Sequence, residues 1–183
     1  MSYTIHTPET APEAARETLE GARKAFGFVP NLLGVMAEAP ALLKAYRALH
    51  ALFDETSFTP TERQVVLMTA SYENGCEYCI AAHTVIAAMQ KVPRHVVEAI
   101  RNGAPIADSK LEALRRFATV IVKARGWPLE EDVGAFLEAG YTKAQVLEVV
   151  LGVGFKTLSN YTNHIAGTPL DKAFAAAAWS KAA

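Results

Sequence analysis

Apolar residues along this chain recur at three- and four-residue spacings, and the strict alternation of a half-buried strand is scarce. Alanine, leucine, glutamate and arginine, all favourable in helices, are abundant. The pattern predicts an all-α chain. Residues 1–11 read as an extended N-terminal arm. A first helix is expected from near Pro12 to Phe26, with Gly27 suited to its C-terminal position. Phe28-Val29-Pro30-Asn31 reads as a turn before a short helix ending near Glu38, and Pro40 fits the first turn of a helix that continues to about Phe53. Thr59-Pro60-Thr61-Glu62 has the form of a capping box, and its helix is expected through Val65, Val66, Leu67 and Met68 to about Tyr72. Asn74-Gly75 breaks it, and the next helix is expected from near Cys76 to about Lys91.

The second half continues in the same way. Pro93 opens a helix that Asn102-Gly103 ends. Ser109-Lys110-Leu111-Glu112 reads as a second capping box leading to about Arg125, and Gly126-Trp127-Pro128 as a turn. A helix over Leu129–Ala139 stops at Gly140. Thr142-Lys143-Ala144-Gln145 is a third capping box, opening a long apolar segment from Val146 to Phe155. Glycines interrupt that segment before Ile165, and a final helix is expected over Leu170–Ser180, after Pro169. Apolar faces on so many segments imply a single packed bundle of about 8–10 helices spanning 1–183, with apolar surface left over for subunit contacts.

Charge narrows the partners. Lysine plus arginine, 18, nearly balances aspartate plus glutamate, 19, so no basic surplus points to nucleic acid or to an anionic membrane. No apolar run approaches the roughly 20 residues of a membrane span. Met1-Ser2-Tyr3-Thr4-Ile5-His6-Thr7-Pro8 has neither a basic nor an apolar signal region, so a cytoplasmic protein is expected. In that compartment paired cysteines are more often catalytic or metal-binding than structural.

The chain's 2 cysteines both fall in Cys76-Glu77-Tyr78-Cys79, and His83 follows four residues later. On one helix, at about 100° per residue, Cys76, Cys79 and His83 lie within roughly 60° of each other. The sulfurs are then close enough to bridge, the helix N-terminus favours a thiolate at Cys76, and His83 is placed to take a proton from Cys79. A thiolate would attack a peroxide oxygen or a disulfide sulfur, the second cysteine would resolve the product, and an external reductant would restore the dithiol. No cofactor is required. Two other readings stand beside this one: two buried small hydrophobes, or a zinc site of Cys76, Cys79 and His83 completed by His164 or Glu73.

The block Glu73-Asn74-Gly75-Cys76-Glu77-Tyr78-Cys79-Ile80-Ala81-Ala82-His83, behind its capped helix, closely resembles the alkyl hydroperoxidase D-like (AhpD-like) group of the carboxymuconolactone decarboxylase superfamily. Gly27-Phe28-Val29-Pro30-Asn31-Leu32 and Ala39–Tyr46 are similar to the N-terminal half of its longer members, and Asn163–Asp171 to their C-terminal signature. The resemblance covers residues 25–175 and implies an all-helical homo-oligomer, trimer or hexamer. It further implies a peroxidase or disulfide reductase that acts on a small hydroperoxide or disulfide and is reduced by a thiol or a lipoyl-type partner. Cys79 would react with peroxide, Cys76 would resolve, and His83 would be the base of a proton relay.

Two positions depart from the group's pattern. The relay glutamate is replaced by Gln64, which cannot carry a proton, and the histidine before the second cysteine is replaced by Tyr78. Glu73 is the favoured substitute, ahead of Glu62, which its capping box already explains. Tyr78 could bond a substrate oxygen or pack as an aromatic, and Ser71 could donate to the site or fit a small space. His164 could approach the site, His95 is expected at the surface, and His6 and His50 have no partners in view. The competing functions are carboxymuconolactone decarboxylase-like chemistry, a non-catalytic redox sensor and a metal-binding module.

Overall fold

The computed structural model of the protein describes residues 3–181. The described residues form nine α-helices and a closing 3-10 helix, with no strand among them. In chain order the α-helices are α1 Glu13–Phe26, α2 Asn31–Met36, α3 Pro40–Asp54, α4 Pro60–Glu73 and α5 Glu77–Met89. They continue as α6 Arg94–Arg101, α7 Ser109–Lys123, α8 Glu130–Glu138 and α9 Lys143–Ala166, and the 3-10 helix is Lys172–Ala177. No helix among the described residues is long and apolar enough to cross a membrane. Residues 3–7 have no regular structure. His6 anchors them: its N–H donates to the Gly34 carbonyl at 3.1 Å and its ring reaches Glu38 at 2.8 Å. His6 thus has the partners that its sequence position does not reveal.

The capping boxes at Thr59 and Thr142 form as their sequences specify, each with both reciprocal bonds. The one expected at Ser109 does not. Asp108 is the cap, accepting from the Leu111 N–H at 2.9 Å, and Glu112 turns away to accept from the Ile106 N–H and from Arg115 and Arg116. An ionised carboxylate one residue earlier outcompetes a serine hydroxyl, and two arginines draw Glu112 off.

Helix α4 sits at the centre, packed against α5, α6, α7 and α9. Its residues Val65, Val66 and Met68 are wholly buried. Two apolar cores result. The larger joins Phe53, Phe58, Val65, Leu114, Phe117, Phe136 and Phe155; the smaller joins Leu19, Leu32, Leu33, Met36 and Leu43 to both cysteines.

Two elements differ from the sequence pattern. The glycines of the last long segment do not interrupt it, and α9 runs unbroken through 24 residues. Gly152 is there for closeness: a Cβ on it would stand 2.7 Å from the Phe53 ring and from Val66 Cγ1. Gly152→Val should therefore cost about 2–3 kcal/mol through overpacking, read as a lower urea midpoint at unchanged m value. The C-terminal segment is a short 3-10 helix instead of an α-helix over 170–180. Asp171 is drawn to the start of α2, accepting from the Asn31 N–H at 3.1 and 3.2 Å. Arg101 takes the carbonyls of Ala177 and Ala178 at 3.0 and 3.1 Å, removing them from any helical ladder.

Candidate active site

The turn between α4 and α5 sets the position of the thiols. Gly75 adopts φ 67°, a left-handed conformation that a side chain would strain, and the Cys76 N–H then returns to the Ser71 carbonyl at 2.9 Å. Cys76 is consequently the N-cap of α5, with extended backbone, and Cys79 lies inside the first turn. Both are free thiols, and Cys79 is 2% exposed.

Helix α9 runs antiparallel along this face. The Asn163 amide donates to Cys79 Sγ at 3.3 Å and to Cys76 Sγ at 3.7 Å. Ser159 Oγ stands 3.9 Å from Cys79 Sγ. One turn further along both helices, Lys156 Nζ meets His83 Nε2 at 3.0 Å. Asn160 bridges outward, donating to Ser71 Oγ at 3.4 Å and accepting from Asn74 at 2.9 Å. The Asn163 side-chain oxygen Oδ1 is buried with no hydrogen-bond partner among the described residues.

This environment splits the two thiols. Burial works against ionisation of Cys79. The Cys76 thiol, the Lys156 charge and the nearby polar side chains of Asn160 and Ser159 outweigh it and hold its pKa at about 5. Cys79 is therefore a thiolate at pH 7. Cys76 moves the other way, pushed up by its bond to Cys79, by burial and by the Cys79 charge. The helix-terminus preference expected at Cys76 passes to its neighbour, because a capping residue lies outside the first turn and its thiol serves as the donor.

His83 does not bond Cys79. Its Nδ1 lies 2.9 Å from Gln64 Oε1, and Gln64 is itself anchored by donating to Gln90 Oε1 at 3.0 Å. Since Nε2 faces an ammonium, which only donates, the ring proton sits on Nδ1 and donates to Gln64. Burial, then the charges of Lys156 and His50, hold the imidazole pKa well below its usual range.

The structure does not bring Glu73 to the thiols. Its carboxylate accepts from Thr119 Oγ1 at 3.1 Å and pairs with Lys123 at 3.3 Å, both on α7. Glu62 stays in its capping box. The Tyr78 hydroxyl donates to Asp171 and accepts from the Leu32 N–H at 3.3 Å, while its ring meets Phe174 edge-on, so Tyr78 ties the C-terminal segment to α2. Ser71 is buried and donates to the Leu67 carbonyl. His164 and His95 are exposed. His50 stacks on Phe155 with ring centroids 5.3 Å apart. No group of three or more His, Cys, Asp or Glu among the described residues could hold a metal, and both nitrogens of His83 are already engaged.

Lys156, Ser159, Asn160 and Asn163 escaped the sequence reading. Their signal was present as four polar residues at i, i+3, i+4 and i+7, which share one helix face.

Residues 37–120 match the model of the carboxymuconolactone decarboxylase family. No curated protein matches the chain. Among solved structures, a peroxidase-related protein from Ralstonia eutropha JMP134, described as an alkylhydroperoxidase AhpD core, is 26% identical, with 94% of this chain and 93% of that one covered and a TM-score of 0.82. A peroxidase-related protein from Silicibacter sp. TM1040 is 20% identical over 95% of this chain and 92% of its own, with a TM-score of 0.80. The debrominase Bmp8, solved as a cysteine-to-alanine variant with 2,3,4-tribromopyrrole, is 21% identical over 97% and 95%, with a TM-score of 0.79. Residues 37–120 thus carry the likeness to the carboxymuconolactone decarboxylase family, and the helical fold around the paired cysteines at the start of α5 is that of the AhpD-like structures.

Proposed function

We propose that this protein is a thiol-dependent peroxidase that reduces small hydroperoxides through Cys79, with Cys76 as the resolving thiol. One observation carries the reading: a single amide, Asn163, donates to both sulfurs, at 3.3 and 3.7 Å, so the two thiols share one site on opposite sides of neutrality. The Cys79 thiolate attacks the outer peroxide oxygen and becomes a sulfenic acid. Cys76 displaces the hydroxyl as water, closing the disulfide. A thiol or lipoyl-type dithiol then reduces it. The burial of Cys79 favours a small oxidant and a slender reductant over a folded protein's disulfide. His83 acts on the thiolate through Lys156, and Glu73 lies outside the cycle.

Stopped-flow mixing of the reduced protein with hydrogen peroxide, tert-butyl and cumene hydroperoxide tests the reading. Expected are about two free thiols before mixing and none after, with turnover once dithiothreitol or dihydrolipoamide is added. Thiols that persist under excess peroxide would refute it. A disulfide that forms without turnover would identify a redox sensor.

We propose in addition that the protein self-associates. Helix α9 leaves Leu147 70%, Tyr161 54% and Ile165 69% exposed, an apolar stripe that suits a second copy of the chain. Sedimentation at micromolar concentration should show a trimer or hexamer. A species at the mass of one chain would contradict this.

A further inference from the structure

Lys156 is the least expected group in the interior. It is 1% exposed, and no carboxylate lies within ion-pair reach of its Nζ among the described residues. Its side-chain hydrogen bond goes to a neutral imidazole, His83 Nε2. The ionisable groups that face it are Cys79 and His83 of α5, Cys76 at the start of α5, and His50 of α3 beside Tyr46. Helix α2 carries no ionisable side chain, α4 presents Gln64, and the Glu112 carboxylate of α7 is held by Arg115 and Arg116. The only anion among these groups at neutral pH is the Cys79 thiolate. It lies one helical turn away: Cys79 precedes His83 by a turn on α5, as Lys156 precedes Ser159 on α9.

An ammonium buried without a counter-charge is costly, so loss of the counter-charge favours the neutral amine. Oxidation of Cys79 removes the counter-charge. We propose that Lys156 is the proton donor of the cycle: it keeps its proton only while the Cys79 thiolate exists and passes it to the leaving oxygen as that thiolate is oxidised. This rests on the thiol-peroxidase reading above and assigns the acid role to lysine, where the resemblance implied a histidine and a glutamate. His83 is a positioning residue. With its own proton committed to Gln64, it orients the ammonium through Nε2.

The step balances. Cys79 S⁻ attacks the outer oxygen of ROOH, an S–O bond forms and the O–O bond breaks. The sulfur loses two electrons and keeps the hydroxyl, and RO⁻ takes the Lys156 proton, leaving ROH and a neutral amine. Cys76 then attacks Cys79, the S–S bond forms, and the hydroxyl departs with the Cys76 proton as water. An external dithiol later returns two electrons and two protons, one to Cys76 and one to Lys156.

The test is the pH dependence of the disulfide's midpoint potential between pH 7 and 8.5. There Cys79 is a thiolate when reduced, and His50, its pKa lowered from 6.5 chiefly by burial, is neutral. If Lys156 gives up its proton, two protons accompany two electrons, and the oxidised-to-reduced ratio at fixed potential changes about a hundredfold per pH unit, about 59 mV. Lys156→Arg keeps the charge but cannot release it, so its ratio should change only about tenfold, about 30 mV. A tenfold dependence in the wild type, or a hundredfold one in the variant, overturns the proposal. Carbon-13 NMR of the wild-type lysine side chains gives the same answer without a substitution. One Cε resonance should move from the ammonium to the amine position on oxidation at pH 7.5, and if none moves Lys156 is not the donor. A disulfide with the wrong slope sinks Lys156 alone, whereas a wild type that forms no disulfide in peroxide or in a thiol redox buffer sinks the peroxidase reading and this proposal with it.

Discussion

Cys79→Ser is expected to abolish hydroperoxide consumption, whereas Cys76→Ser should still permit one sulfenic acid on Cys79, trapped by dimedone, but no intramolecular disulfide. The pH dependence makes the assignment sharper. The Cys79 pKa is lowered to about 5, so the thiolate predominates above that value and is lost as pH falls through it. Iodoacetamide alkylation of the wild type should be flat from pH 6.5 to 8 and fall with a midpoint near 5. Cys76→Ala removes a thiol donor that helps hold the Cys79 charge. About 1.5–3 kcal/mol of charged hydrogen bond is then lost, which is about one to two pKa units. The midpoint should move up toward about 6–7. Alkylation that tracks Cys76 at pH 6 would reverse the two roles.

Phe155→Ala should remove about 3–5 kcal/mol of folding free energy, a large part of the 5–15 kcal/mol typical of a domain. Phe155 is 1% exposed and is stacked between α3 and α9, with the Tyr46 ring at 4.8 Å and His50 at 5.3 Å. His50 cannot collapse into the space without giving up its approach to Asp54 at 3.7 Å. The measurement is the urea midpoint at constant m value. A loss below about 1 kcal/mol would mean that the α3–α9 contact relaxes, and with it the backing of Lys156, the next residue along the helix.

Much of the architecture is legible in the sequence. Helix starts at Thr59 and Thr142 are local events, decided by a capping side chain and the backbone within four residues of it, so the sequence displays both donor and acceptor; at Pro40 the fixed φ of the proline ring acts just as locally. The Ser109 start was misplaced by one residue because the decisive competitor for Glu112 was a pair of arginines, which no capping pattern weighs. Gly152 shows the same limit. In sequence a glycine inside a helix reads as a break, and only the Phe53 ring against it shows why a missing side chain is needed.

The candidate site divides along the same line. The sequence by itself determined that two thiols and a histidine share one helix face, because a 3.6-residue repeat follows from chain order alone. Which thiol ionises, what His83 bonds and where Glu73 points were decided only by tertiary structure. Lys156 and Asn163 are more than seventy residues in sequence from His83 and Cys79, the residues they contact, and they reach them only because α9 packs beside α5 and around α4. A pKa responds to charge and hydrogen bonds within a few ångströms, whatever their separation along the chain. Glu73 is three residues from Cys76, yet helix α4 turns it toward α7; Lys156 is eighty residues away and supplies the charge.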